Sequence, residues 1–152
     1  ITEDLATAAP QGVLWAHHTA AAGVASLDQS KELYHYYLYY SGADEKELAR
    51  AMLEGQFNTL SALFGVERVI TTLTPDAKPI TANDMRAEVR RYSDFIKTFS
   101  RERAARPLVS FVVAPLQAEP NYANLDRWYE RDSGERVGIY VIYRLKLRPA
   151  EQ

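Results

Sequence analysis

Residues 81–103, TANDMRAEVRRYSDFIKTFSRER, carry the longest apolar periodicity in the chain. Met85, Val89, Tyr92, Ile96 and Phe99 fall at i, i+4, i+7, i+11 and i+14, which is one stripe of an α-helix. Thr81, with Asp84 three residues on, has the spacing of a capping box and sets the start of that helix. The stripe must be covered. The β-rich segments that follow, 108–114 and 137–147, are the expected cover, so the reading is a sheet packed on this helix.

Upstream, residues 66–72 read as a short strand centred on Val69 and Ile70, with Thr71 and Thr72 at its carboxyl end. Before it, Phe57, Leu60, Leu63 and Phe64 share a helical stripe that Gly65 closes. Asp44 and Glu47 form a second capping-box signature ahead of Leu48, Ala51 and Met52, and Gly55 interrupts that stripe. Residues 28–40 are rich in tyrosine, which favours strand by residue type. Spacing favours helix: Leu33, Tyr36, Tyr37 and Tyr40 lie on one stripe, Asp28 is placed as N-cap, and Gly42 terminates. The tyrosines could form a stacking platform for sugar, or core and interface packing, which is the plainer account. Residues 1–9 look like a helix end broken by Pro10-Gln11-Gly12, and 13–16 (Val-Leu-Trp-Ala) look like a strand buried on both faces. His17, His18 and Thr19 follow at its end, then a small-residue loop over 20–26.

Downstream, Leu108, Val109, Phe111, Val112 and Val113 read as a buried strand stopped by Ala114-Pro115. Leu125 to Tyr129 reads as one helical turn and Asp132-Ser133-Gly134 as a turn. The closing strand alternates, with Ile139, Val141, Tyr143, Leu145 and Leu147 on one face and Tyr140, Arg144, Lys146 and Arg148 on the other. A strand with one polar side is an edge or antiparallel strand. The alternation of helices and strands predicts an α/β fold. Its form would be a small Rossmann-like three-layer sandwich, a mainly parallel sheet with a C-terminal antiparallel edge strand, in one domain over residues 1–152.

The 152 residues suffice for one sizeable core, with 47% apolar residues. A formal net charge of −2 and a pI near 5.9 argue against nucleic acid as a partner. Charge is nonetheless uneven: residues 86–106 hold seven bases and three acids. The plainer reading of that run is a solvated helix face, with Glu88 and Arg91, Arg90 and Asp94, and Asp94 and Lys97 paired along it. The sharper reading is a surface for anionic lipid or sugar-phosphate groups. The absence of cysteine excludes disulfides and thiolate metal sites. No run approaches the roughly 18 to 20 apolar residues of a membrane span, and no signal peptide opens the chain. The start at Ile1 rather than Met is read as that of a fragment or processed product.

In an open parallel sheet a ligand lies beyond the carboxyl ends of the strands. There the reading gathers Trp15, His17, His18, Thr71 and Thr72 as the candidate binding residues. Neighbouring residues of a strand face opposite ways, so His17 and His18 do not readily share an ion, and no metal site is expected. No Gly-rich phosphate loop follows the first strand, G-x-x-x-x-G-K-[ST] is missing, and no serine sits in G-x-S-x-G. No cofactor and no complete catalytic set is expected. Asp126, Glu130 and Asp132 with Arg127, Arg131 and Arg136 read as an exposed ion-pair cluster, and Trp128 as an anchor for the terminal strand.

The order of segments resembles the C-terminal extramembrane domain of bacterial multispanning proteins related to C-type-fold glycosyltransferases, which use lipid-linked sugars. The resemblance is carried by a helix at Ile1 to Leu5, the Ala9-Pro10-Gln11-Gly12 turn, Val13-Leu14-Trp15-Ala16, the apolar run Ser110 to Pro115, and the closing Ile142-Tyr143-Arg144-Leu145. These motifs are short and generic. The resemblance implies a non-catalytic accessory domain of a polytopic membrane protein on the periplasmic face of a bacterial inner membrane, with the transmembrane part of its own chain as partner. The family's catalytic carboxylates lie between membrane spans, and none is carried onto this chain. Two rival expectations are a sugar- or phosphate-binding module and a small enzyme using His17 or His18 as base.

Overall fold

A computed structural model describes residues 26–70, 76–118 and 120–150, with Leu14, Thr72 and Thr74. The expected N-terminal helix, the strand over 13–16 and the loop over 20–25 lie outside the described residues. Leu14 packs against the core.

Among the described residues all helices but one precede the strands. Helix α1 (Leu27–Tyr40) is followed by α2 (Glu45–Leu53), α3 (Phe57–Phe64), α4 (Val66–Val69), α5 (Ala82–Lys97) and α6 (Arg101–Ala104). Then come β1 (Phe111–Pro115), α7 (Ala123–Trp128), β2 (Tyr129–Arg131), β3 (Glu135–Val137) and β4 (Tyr140–Leu147). The expected mainly parallel, Rossmann-like sandwich is therefore wrong. Among the described residues every strand pair is antiparallel, and β4 lies inside the sheet, paired with β1, β2 and β3, instead of at its edge. Helix α7 leads from β1 to β2, but these two lie on opposite sides of β4 and do not pair, so no described β-α-β crossover joins neighbouring parallel strands.

The expected strand over 66–72 is also overturned, since Val66–Val69 is one helical turn closed by Ile70 N–H to the Val66 carbonyl at 2.8 Å. A short apolar run has too few residues for periodicity to tell strand from helix. Here Arg68 decides: its guanidinium donates to the carbonyls of Lys78 and Pro79, both at 2.9 Å, and to Asp84 at 2.8 Å. The turn is thereby tied to the start of α5. That is a structural role, and it also draws the Asp84 carboxyl down to about 2, chiefly through the Thr81 backbone N–H and then Arg68.

The helix signals from local chemistry hold. Asp44 with Glu47 and Thr81 with Asp84 are reciprocal capping boxes, and Gly42 and Gly65 adopt positive φ just past α1 and α3. At α1 the box is Ser26 with Gln29, so Asp28 lies in the first turn and is not the cap. Helix α5 stops at Lys97, six residues short of the expected end. Thr98 turns its hydroxyl onto the Asp94 carbonyl, and Ser100 caps the separate turn α6.

The stripe of α5 is covered by helices, not by the sheet. Tyr92, Phe95 and Phe99 meet His35, Tyr36, Tyr39 and Tyr40 of α1, with Tyr39 stacked on Phe99 at 3.9 Å between ring centres. The tyrosine hydroxyls then reach other elements. Tyr36 donates to the carbonyls of Arg103 and Arg106 at 3.2 and 3.0 Å, and Tyr92 to that of Ala43 at 2.7 Å. The Tyr39 hydroxyl accepts from Trp128 Nε1 at 2.9 Å, and Tyr129 donates to the Ala104 carbonyl. Core packing is thus the role of the tyrosine cluster, and Trp128 is the anchor expected of it.

Below this layer, Val112, Leu145 and Leu147 turn toward the core. The opposite face of the sheet is open: Phe111 is 45% and Val137 48% exposed, so β1 is not the doubly buried strand its composition suggested. Strands β2 and β3 form one interrupted edge, since Arg131 pairs with Leu145 and Glu135 with Ile142, leaving three residues opposite two. Asp132 seals that bulge by accepting from Gly134 N and Arg144 N at 3.1 and 3.0 Å. Arg131 caps it, bidentate to Asp126 at 2.5 and 2.8 Å and facing the rings of Tyr122 and Tyr143. Gly134 has φ +76, and a Cβ there would lie 2.6 Å from Val141 and 2.7 Å from the Tyr143 ring. Gly134→Ala is expected to destabilise the fold by about 1–3 kcal/mol, combining αL strain with overpacking, as a lowered urea midpoint would show.

Candidate functional site

Four residues apart on α1, Lys31 and His35 share a face, as do Glu88, Arg91 and Phe95 on α5. The two faces meet along an open cleft of about 420 Å³. Asp28 and Glu32 of α1, Asp94 of α5, Thr98 and Arg103 complete its walls.

Glu88 is the unusual member. Only 4% exposed, it sits in the run that reads as a solvated basic face. A carboxylate leaves water at a cost of several kcal/mol unless it is paired. Lys31 Nζ and Arg91 Nη1 both donate to its Oε1, at 2.7 and 2.8 Å. The expected Glu88–Arg91 pair is therefore present, but as one arm of a partly buried triad that joins two helices. Oε2 has no partner.

His35 faces the same cleft, 7% exposed, with its ring tilted against Tyr92 and Phe95 at 5.3 and 5.5 Å. Burial, and after it the charges of Lys31, Arg91 and Arg103, lowers its pKa from 6.5 to about 4. The imidazole is neutral at pH 7, and its Nε2 also has no partner. The other buried unpartnered side-chain atoms, Ser30 Oγ, Tyr40 OH and Tyr122 OH, are not in the lining. Two residues of one cleft lining thus each bury a polar atom without a partner, an imidazole nitrogen and a carboxylate oxygen. Arg103 stands beside them, its guanidinium 5.0 Å from the centre of the Phe95 ring.

No family model, curated protein or solved structure matches this chain. The site is accordingly read from its own chemistry. Among the described residues no three His, Asp or Glu side chains could hold a metal ion together. No described helix is long and apolar enough to cross a membrane.

Of the binding residues expected from sequence, Trp15, His17, His18 and Thr71 lie outside the described residues. Thr72 is exposed in a turn. The parallel strands whose carboxyl ends would have gathered them are not formed among the described residues. His35 is not among the residues expected from sequence, and the signal that marks it is its i, i+4 relation to Lys31, matched by Glu88 and Arg91 on the other helix. A second opening, lined by Arg68, Lys78, Pro79, Thr81 and Asp84, is the loop anchor already described.

The buried histidine has a measurable signature. Unfolded His35 takes up a proton near pH 6.5 and the folded residue only near pH 4, so its contribution is complete above the first value and lost as pH falls toward the second. The loss amounts to at most about 3 kcal/mol. His35→Phe keeps a ring of similar size among the same charged neighbours, the cations Lys31, Arg91 and Arg103 and the acids Asp28, Glu32, Glu88 and Asp94. Urea unfolding near pH 7 and near pH 5 should show wild type losing stability relative to this variant at the lower pH. Parallel losses would mean that His35 is not held neutral.

Proposed function

We propose that this domain works by binding a small polar molecule in the α1–α5 cleft, as a non-catalytic accessory part of a larger protein. The observation that carries the reading is the polar lining of the cleft, in whose walls His35 and Glu88 each bury a polar atom, Nε2 and Oε2, that has no partner. Buried polar atoms in folded proteins nearly always have partners, and two residues that lack one in the walls of a single cleft mark it as the place for a ligand. Binding is favoured over turnover by the lining itself. Thr98 is its only hydroxyl-bearing side chain, and no described group converges with it as a nucleophile–base pair. The accessory role, with a membrane-spanning parent on the periplasmic face, rests on the sequence resemblance.

Thermal unfolding against a panel of neutral sugars, sugar phosphates, carboxylates and amines tests the reading. One class should raise the melting temperature of wild type and leave His35→Phe unmoved. Near hundredfold saturation the stabilisation is about 2.7 kcal/mol, a shift of several degrees for a domain of this size. No stabilisation by any compound, or equal stabilisation of both proteins, would overturn it.

A further inference from the structure

We infer that β1 is a self-association edge, pairing antiparallel with β1 of a second copy of this chain about a two-fold axis at Val112. The inference is independent of the cleft. Strand β1 ends the sheet order, with β4 on one side only. Leu145 N–H donates to the Ser110 carbonyl at 2.9 Å and Leu116 N–H to the Ile139 carbonyl at 2.8 Å, so the even-numbered residues of β1 turn their backbone groups toward β4. The N–H and C=O of Phe111 and Val113 therefore point the other way, where among the described residues they meet no backbone partner. Pro115 follows at the same spacing, with no N–H to offer.

Open edges are usually guarded by charge, and none lies between Ser110 and Leu116. Any extended chain could meet four backbone groups. What selects a second copy is that the pattern of this edge is symmetric about Val112. A two-fold axis there sets Phe111 against Val113 of the other copy, and the four free groups of each copy are all used. Moving the axis to Val113 would set Phe111 against Pro115, which cannot donate to the Phe111 carbonyl. The Val112 axis also brings Leu108, 60% exposed, opposite Leu116, 43% exposed, and makes Phe111 with Val113 an aromatic and β-branched cross-strand pair. The same patch thus serves both partners, as closed two-fold symmetry requires, and no like charges are opposed along it. So short a strip makes a small interface, and the dimer dissociates in the micromolar range.

Sedimentation equilibrium of the whole chain at loadings from ~10 μM to ~1 mM, which bracket a micromolar dimer, tests the association. The mass should rise with loading from 17.2 kDa toward twice that value. Val113→Pro removes a free N–H and no bond to β4, and Phe111→Lys puts a charge on the edge. Each should weaken the dimer at least about tenfold, with its melting curve establishing that it is folded. The chain has no cysteine, so introduced thiols report the register. Oxidised with copper phenanthroline, Val112→Cys should cross-link to itself, because residues facing each other at that axis form a non-hydrogen-bonded pair with Cα atoms about 4.5 Å apart. Val113→Cys should not, since its counterpart lies two residues along the other strand, beyond the ~7 Å that a disulfide spans. A chain still monomeric at ~1 mM would overturn the inference, as would a dimer that neither Val113→Pro nor Phe111→Lys weakens. Cross-linking through Val113→Cys and not through Val112→Cys would overturn the axis at Val112.

Discussion

A tyrosine in a core brings a hydroxyl that favours a partner, and of the four that α1 buries, Tyr34, Tyr36, Tyr39 and Tyr40, the first three find one on another element. A lone buried hydroxyl costs a few kcal/mol, so each partner fixes the helix against something specific. Tyr34 shares a hydrogen bond with Thr59 of α3 at 2.9 Å, Tyr36 holds the α6 turn and Tyr39 holds Trp128 of α7. Leucines of the same size would bury comparable area and leave the helix free to slide. The edge and stacked contacts among Tyr36, Tyr39, Phe95 and Phe99 lock the same register a second time.

That locking is what makes the cleft possible. With α1 fixed in rotation, Lys31 and His35 face α5, and Lys31 also lies over the Phe64 ring of α3. The Lys31–Glu88–Arg91 triad then holds the two helices through ionic contacts in place of packed side chains. A seam built this way contributes less to stability than an apolar one, because desolvation offsets much of the Coulombic gain. A polar seam in an otherwise aromatic core is a place where packing stability has been given up.

Much of the helical layer was legible in the residues, because its signals are local. The capping boxes at Asp44 and Thr81, the glycines past α1 and α3, and the α5 stripe each depend on neighbours within four positions. The sheet was not. Strand composition shows that a segment is extended but not which way its partner runs, and the assumed alternation of elements rested on reading 66–69 as strand. Arg68 overrides that reading through contacts ten to sixteen residues away. The cleft was invisible for the same reason. Glu88 amid Arg86, Arg90 and Arg91 looks like one more surface pair, and only the approach of Lys31, fifty-seven residues away, reveals it as buried. Of the expected terminal ion-pair cluster the Asp126–Arg131 pair forms within a short span, whereas Glu130 pairs with Arg148 and Trp128 anchors through Tyr39, eighty-nine residues away.

Among the described strands, β4 pairs with each of the other three and follows all of them in sequence. On a ribosome, β1, β2 and β3 would emerge with no partner to zip against, since none of them pairs with another. The helical layer, whose caps and turns close locally, can assemble while synthesis continues. The sheet must wait for the residues through 147, and until then β1 exposes Phe111-Val112-Val113 to any strand-seeking neighbour. Birth of this fold is therefore staged: a helical half that matures early, and a sheet that snaps shut around its last-made strand.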